Sequence, residues 1–586
     1  MDKFGIAAAL QEIASLLELK GGENRFKARA YRAGARAITG FSGDLPKLID
    51  RNELTTIRGI GSALASQIRQ LHFDNSSSVL QALRKEFPPG VLELSTVPGL
   101  TLARIRKLVE ALGVSSVEEL KKAAEAGRVR AVKGFGAKTE QQLLNAIANL
   151  DKREQRRPRV HIHHAERIAG QIIDYLQTSS TFQEASLAGS LRRWKETVGT
   201  IRIVASARKP TLLLKHFLRF PLIVRKEMLD ENTWVVELLE GVKVSLTAVL
   251  PEQYPVALLL MTGARAHVDR LQQLAEMKSL RLDHKHFRLH SAADVTVSRR
   301  PSKKRDVREE SEVYRLLGLQ YVPPETREDA GEIEAALEGN LPHDLVSLAD
   351  VKGMVHCHTT YSDGVNTIEQ MARAAQALGM KYLTITDHSP TAFYAGGVTP
   401  DRLKRQWDEI DEVQAKVSIK LLRGTESDIL ADGALDYPAA ILERLDVIVA
   451  SVHSRYKMDA EKMTKRVVAA MRQPVFKIWG HALGRLIQRR PPFECDMERV
   501  LDVIAESPAA IEINGDPYRL DMEPRWLREA RKRKIKFVIS VDAHSTGALN
   551  NVRFGVGIAR RAWVQRREVL NTLPLKGFMA AVRPVQ

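Results

Sequence analysis

Nine residues in the C-terminal half carry the side chains that metal-assisted hydrolysis needs. His356 and His358 flank Cys357 in VHCHTTYSDG (355–364). Two residues apart on an extended segment, both imidazoles share one face and Cys357 takes the other, so the thiol is expected in the core and not on a metal. Asp363 follows in a Ser-Asp-Gly turn, and His388 ends the apolar run YLTITDHSP (382–390). Glu426 lies in GTESDI (424–429), His453 in VASVHS (449–454) and His481 in KIWGHALGR (477–485). Asp542 and His544 close VISVDAHS (538–545), again two apart. A lone histidine after a strand is usually a core or capping residue. Here five strand ends or turns carry His, Asp or Glu in a chain of 16 histidines, which chance explains poorly. Mixed imidazole and carboxylate ligands suit Mn²⁺ or Zn²⁺ better than Mg²⁺.

Elements that could position such a set are legible around it. From about residue 350 onward short apolar strands alternate with amphipathic helices, the pattern of a parallel α/β layer or barrel. Such folds place their chemistry at strand C-terminal ends. Residues 160–322 mix helix, as in AERIAGQIIDYLQ (165–177), with strand, as in IRIVASA (201–207), TWVVELL (233–239) and VKVSLTAV (242–249). Residues 1–150 read as helices broken by three glycine turns, TIRGIGSALASQI (56–68), TVPGLTLARIRKL (96–108) and AVKGFGAKTEQQL (131–143). Gly59 with Gly61, and Gly134 with Gly136, bracket one apolar residue between helical patterns; bare N–H groups at the next helix start can approach a phosphate. Lys133 and Lys138 add charge at the third turn, whereas the second keeps Gly99 but has Thr101 at the later glycine position.

The 586 residues exceed what one core organises, so three or four domains are expected. A net charge of +18 and a pI of about 9.7 favour a polyanionic partner, and no apolar run approaches membrane length. Two cysteines, Cys357 and Cys495, exclude a disulfide framework and suit a reducing cytoplasm; the opening Met-Asp-Lys-Phe shows no export leader.

The ordered set HxH, SDG, TDHS and DAH resembles the PHP (polymerase and histidinol phosphatase) domain, and all nine ligand positions match. The resemblance implies a distorted seven-stranded barrel binding about three divalent cations. His356, His358, Glu426 and Asp542 would hold one, Glu426 would bridge to a second on His453 and His481, and Asp363, His388 and His544 would hold the third. Arg455 and Arg485 are candidates to neutralise substrate phosphate.

The glycine turns resemble helix-hairpin-helix DNA-binding motifs, and ENRFKARAYRAGARAI (23–38) resembles the small N-terminal domain of family X DNA polymerases. Lys27 is a lyase candidate there only by vicinity; a solvated basic face is the better reading. AGSLRRWKETVGTIRIV (188–204) is similar to the family's nucleotidyltransferase motif, with Gly189, Ser190 and Arg193 at a nucleotide site and Arg192 and Glu196 also matching. MTGARAHVDRL (261–271) and SEVYRLLGLQYVPPETRE (311–328) resemble its sugar-contacting turn and the close of its thumb. The three aspartates of that family fall at Thr200, Arg202 and Ser245. Two-metal nucleotidyl transfer needs those carboxylates, so the nucleotide site reads as vestigial.

The expected organisation is a helical DNA-binding domain with the first hairpin (1–85), a second helix-hairpin-helix domain (86–152), an α+β palm and thumb (158–322), a linker (323–349) and the PHP barrel (350–586). The implied function is 3′–5′ exonuclease action on gapped, nicked or 3′-recessed DNA in repair, by a monomeric cytoplasmic protein associated with a bacterial nucleoid, with polymerisation lost. A bifunctional gap-filling polymerase with exonuclease, a non-catalytic DNA-binding scaffold and a small-molecule phosphatase are the competing readings.

Overall fold

The computed structural model describes the chain except for residues 2, 42–44, 58, 89, 96, 98, 154–158, 239, 292–306 and 584–586. Most of the basic stretch DKREQRRPR (151–159), which its composition marks as a linker, together with positions within the first two glycine turns and the strand expected at 233–239, therefore lies outside the described residues. The chain forms two compact units, one of residues 1–160, 164–186 and 199–251, the other of 161–163, 187–198 and 252–586.

In the first unit, residues up to about 150 are helical as expected, from Lys3–Lys20 to Ala137–Arg153. One apolar cluster runs from Ile6 and Leu10 through Ile105 and Leu108 to Ile147. The turns behave as their sequences imply. Gly59 and Gly134 both sit at φ of +95°, a left-handed conformation that a side chain would strain. Gly61 caps the helix Ser62–Asp74 without a side chain, leaving its first N–H groups uncovered. Thr101 instead caps Leu102–Leu112 by accepting from the Arg104 N–H with its own hydroxyl, at 3.4 Å. The second turn thus engages with its own threonine the donor that the first turn leaves without a side-chain cap. Lys27 is exposed, in keeping with a solvated basic face.

The same unit carries a five-stranded sheet. Its strands are β1 (Phe182–Ala188), β2 (Thr200–Ala207), β3 (Ile223–Asp230), β4 (Thr233–Leu238) and β5 (Lys243–Val249), in the order β1-β2-β5-β4-β3. β2 and β5 are parallel, with Thr200 opposite Lys243 and Arg202 opposite Ser245. Residues paired across strands share a face, as do residues two apart. Thr200, Arg202 and Ser245 therefore lie together on one face of neighbouring strands.

In the second unit seven parallel strands follow one another in chain order: β6 (Gly353–Met354), β7 (Tyr382–Ile385), β8 (Lys420–Asp428), β9 (Val447–Ser451), β10 (Lys477–Trp479), β11 (Ala509–Asn514) and β12 (Lys536–Ser540). A parallel bridge between Cys357 and Ala543 joins the two ends of this row and closes the barrel. His358 N–H donates to the Ala543 carbonyl at 2.8 Å and Ala543 N–H to that of His356 at 3.1 Å. Inside, Val355, Tyr382, Leu422, Val447, Ile478, Ala510 and Val538 pack with Phe578 of the C-terminal helix Leu575–Val582. The Phe578 ring stacks on Tyr382, the first residue of β7, at 4.8 Å. That helix plugs the end of the barrel from which the strands start and leaves the other end for chemistry.

The segment 323–349, expected as an open linker, is folded. Its Pro and acidic content imitates a connector, but the acids are anchors: Glu325 accepts from Arg560 at 2.7 Å and Glu332 pairs with buried His267 at 2.6 Å. Arg327 is fully buried against Glu310 at 2.6 Å.

Candidate metal centre

All nine residues singled out in the sequence meet at the C-terminal end of the barrel strands. β6 is only two residues long, so the two histidines lie just beyond it and not on it; alternation about Cys357 nevertheless turns both imidazoles inward and buries the thiol. His388 and Glu426 form a parallel bridge that fixes their register. Asp542 follows the end of β12 at φ +50°, and His481 follows β10 at φ +24°. Non-glycine residues in this region carry strain of about 1–3 kcal/mol each, which here points their side chains into the cluster. Gly364 closes the Ser-Asp-Gly turn where a Cβ would approach the His358 carbonyl to 2.6 Å.

Glu426 is the hub. Its Oε2 lies 3.4 Å from His356 Nε2, 3.4 Å from His358 Nε2 and 3.1 Å from His388 Nδ1. Its Oε1 lies 3.1 Å from His453 Nε2 and 2.8 Å from His481 Nε2. One carboxylate thus faces two groups of imidazoles, the arrangement a bridging ligand needs. Asp542 Oδ1 is 3.1 Å from His358 Nε2 and 3.5 Å from His356 Nε2. Asp363 Oδ1 reaches His544 at 3.2 Å, His388 at 3.7 Å and His358 at 3.8 Å. His388 therefore belongs geometrically to two groups, with Asp363 and His544 and with Glu426 and His453. Asp363 and His544 have 39% and 38% of their side chains exposed, whereas the other seven are almost wholly buried. The cluster opens to solvent on the Asp363–His544 side.

These residues fit divalent cations. Buried atoms facing the cluster make no hydrogen bond among the described residues: Nε2 of His356 and His358, Nδ1 of His388, both ring nitrogens of His481, both oxygens of Glu426 and Oδ1 of Asp542. An unsatisfied buried polar atom costs about 1–3 kcal/mol, and here a cation would satisfy several at once.

A further layer holds the ligands in place. Glu512, in the middle of an apolar strand, accepts from His356 Nδ1 at 2.6 Å, Ser540 Oγ at 2.5 Å, Asn514 Nδ2 at 3.1 Å and the His481 backbone N–H. Asp428 receives His453 Nδ1. Such partners fix the tautomer so that the opposite nitrogen faces the metal. Arg519 approaches Asp542 Oδ2 at 3.2 Å, and its buried Nη1 has no hydrogen-bond partner among the described residues. Sequence reasoning missed all three; a glutamate inside AAIEIN (509–514) was the one available signal. Asp387 of the TDHS motif is not aimed at the cluster: it accepts from Thr359, Ser362 and Gln406. Arg485, a candidate for the mouth, is buried between Glu196 at 2.9 Å and Glu523 at 3.1 Å and is structural. Arg455 is exposed.

The charges divide unevenly. Burial would raise the Glu426 carboxyl, but the His453, His356 and His388 imidazoles outweigh it and hold it well below the usual range. Burial would lower His453, but Glu426 and Asp428 push it up to about 10. His544, likewise opposed by burial, is raised to about 9 by Asp363 and Asp542. Burial lowers His388 to about 4. Burial would lower His356 as well, but Glu512, Glu426 and Asp542 hold it well above its usual range, so the metal-free protein carries protons on His356, His453 and His544 that a cation must displace. Metal binding at pH 8 is expected to release more than one proton per chain, read by pH-stat titration with Mn²⁺. Because protons compete with the metal, apparent affinity should rise as pH climbs from 7 towards 10; affinity independent of pH would contradict the assignment.

At the nucleotide-like motif, Gly189 (φ +57°) and Ser190 open the short helix Gly189–Arg192. Arg193 is committed to Glu328 at 2.8 Å and to the Thr262 carbonyl, and Arg192 grips Glu310 with two nitrogens at 2.9 and 2.6 Å. Among the described residues, groups of three or more His, Cys, Asp or Glu close enough for a metal occur only in the barrel.

A buried His/Asp/Glu cluster at the mouth of a seven-stranded parallel barrel defines a metal-dependent phosphoesterase of the PHP class, and the PHP domain family matches residues 355–516. The DNA polymerase beta thumb matches 257–328, a helix-hairpin-helix domain 1–74 and a SAM-like helix-hairpin-helix tandem 91–149. A DNA polymerase/3′-5′ exonuclease PolX of Bacillus subtilis (strain 168) is 33% identical over 587 residues, covering 100% of both chains. Probable phosphatases of Thermoanaerobacter sp. (strain X514) and Clostridium acetobutylicum are 28% and 27% identical over 37% and 34% of this chain, and 89% and 80% of their own lengths. The chain belongs to the PolX family of DNA polymerases with a PHP domain. It is a metal-dependent hydrolase with DNA-binding hairpins, and no helix among the described residues is long and apolar enough to cross a membrane.

Proposed function

We propose that the barrel is a 3′–5′ exonuclease that trims DNA 3′ ends at gaps, nicks or recessed termini, and that the polymerase-like sheet has lost nucleotide transfer. The observation that carries this is the contrast between two sites. In the barrel, buried ligand atoms converge around Glu426 and make no hydrogen bond among the described residues. On the sheet, the positions that should carry carboxylates are Thr200, Arg202 and Ser245, and Lys243 lies across from Thr200 on the same face. Arg202 brings a permanent positive charge where two cations would have to sit.

In this reading the nine residues are the metal ligands, and Mn²⁺ or Zn²⁺ suits them better than Mg²⁺. Bound cations would polarise the phosphodiester and lower the pKa of a coordinated water. The protein's own groups do the rest. Glu512 and Asp428 orient His356 and His453. Arg519 offers its unpartnered Nη1 to a phosphate oxygen. Upstream, Gly59, Gly61, Lys133, Gly134, Gly136 and Lys138 would hold the duplex through its backbone, with Gly99 playing a structural part. The segments 1–85, 86–152, 158–322 and 350–586 are read as hairpin, tandem-hairpin, palm-thumb and PHP domains of a monomer working on the bacterial nucleoid. Digestion of 5′-labelled single-stranded, 3′-recessed and gapped substrates with Mn²⁺ tests the reading. A ladder shortening from the 3′ end is expected, fastest on the gapped duplex; intact DNA, or digestion from the 5′ end, would overturn it.

A further inference from the structure

The open side of the cluster is bordered by apolar side chains that the hydrolytic chemistry does not use. Val365, 72% exposed, follows the Asp363 turn, and its N–H donates to the His544 carbonyl at 2.9 Å. Beyond His388, a short turn presents Phe393 and Tyr394 with 85% and 63% of their surface exposed. A single exposed aromatic needs no explanation. Two in succession beside a polar centre do, because the turn that carries them is firmly held. Val398 N–H donates to the His388 carbonyl at 2.8 Å and ties off the loop at a candidate ligand. Thr391 bonds to Asp436 at 2.7 and 2.8 Å, and to Asp428, the partner of His453, at 3.1 Å. Arg402 clasps the carbonyls of Gly396 at 2.8 Å and Tyr361 at 2.5 Å, which sets the loop against the turn bearing Asp363. The rings step outwards from the cluster: Tyr394 is 6.3 Å from His388, and Phe393 is 6.4 Å from Tyr394 at 75° to it. Phe393 therefore keeps an exposed ring, on a rigid mount, one aromatic step beyond the ring that lies beside His388.

We propose that Phe393 stacks on the unpaired base at the 3′ terminus of the DNA strand, forming a base-binding subsite of the nuclease; this rests on the exonuclease reading above. Every base has a π-face, so such a platform holds any sequence and takes the terminal base once it frays from its partner. Tyr394 meets the platform edge-on at 6.4 Å. The group that Phe393 itself would receive is a nucleobase and not a phosphate, because an exposed aromatic ring offers a π-face and no charge.

The test compares wild-type protein with Phe393→Ala and Phe393→Trp on a 5′-labelled single strand. KM should rise about tenfold in Phe393→Ala, the expected loss of one stacked base, with kcat within about twofold. Phe393→Trp should stay near wild type. On a strand ending in two abasic tetrahydrofuran residues the three proteins should have equal KM. Independently of turnover, 2-aminopurine at a phosphorothioate-blocked 3′ end should be quenched on binding by wild type and not by Phe393→Ala. Unaltered KM on the base-bearing strand, or an equal rise on the abasic one, would overturn the stacking role while leaving the nuclease intact. A wild-type protein that digests no DNA would instead overturn the function on which the role depends.

Discussion

Glu426→Gln, which keeps shape and removes charge, is expected to lower kcat/KM for 3′-end digestion by about 10³-fold or more, since several kcal/mol of metal-borne stabilisation disappears. The carboxylate is the one group within 3.4 Å of His356, His358, His388, His453 and His481 together. An amide has one oxygen and a donor where a second oxygen stood, so it cannot serve both groups of imidazoles. Metal retained after gel filtration should fall in parallel. His356→Ala should abolish digestion too, because it takes away one ligand and removes one of the four donors to the buried Glu512 carboxylate. The readouts are steady-state digestion of a labelled strand in Mn²⁺ and elemental analysis of the same preparations. A Glu426→Gln variant within tenfold of wild type would mean that the cluster is not the hydrolytic centre.

The second large effect is an absence: no extension of a gapped primer by dNTPs, measured in His356→Ala so that digestion cannot mask synthesis. Thr200, Arg202 and Ser245 share one face of β2 and β5, so the replaced positions are the ones that would have to converge. Neutral Thr and Ser do not hold Mg²⁺ unaided, and Arg202 repels it. At the nucleotide-like motif, Arg193 is engaged with Glu328 at 2.8 Å. Products longer than the primer, in Mg²⁺ or Mn²⁺, would establish the bifunctional polymerase reading.

What could be read in the sequence follows from how local each signal is. The inward pairing of His356 with His358 needs only alternation, and the barrel only the strand–helix rhythm; both are there. The turns around Gly59 and Gly134 are likewise local, because positive φ belongs to the residue itself. Tertiary partners were illegible. Glu512 reads as an oddity in a strand until four donors close around it. Arg485 reads as a surface cation until Glu196, distant in the chain, is seen beside it at 2.9 Å. The acidic stretch after Tyr321 reads as a linker for the same reason: the side chains that anchor Glu325 and Glu332, Arg560 and His267, come from elsewhere in the chain. Asp387 shows the converse, since its motif placed it beside a ligand while three donors took its oxygens.

Anomalous diffraction from crystals of the Mn²⁺-loaded protein tests the central claim most directly. Two or three peaks should appear at the barrel mouth, with Glu426 between two of them and Asp363 and His544 on the solvent side. Peaks lying instead against β2 and β5, or none within reach of Glu426, would contradict it.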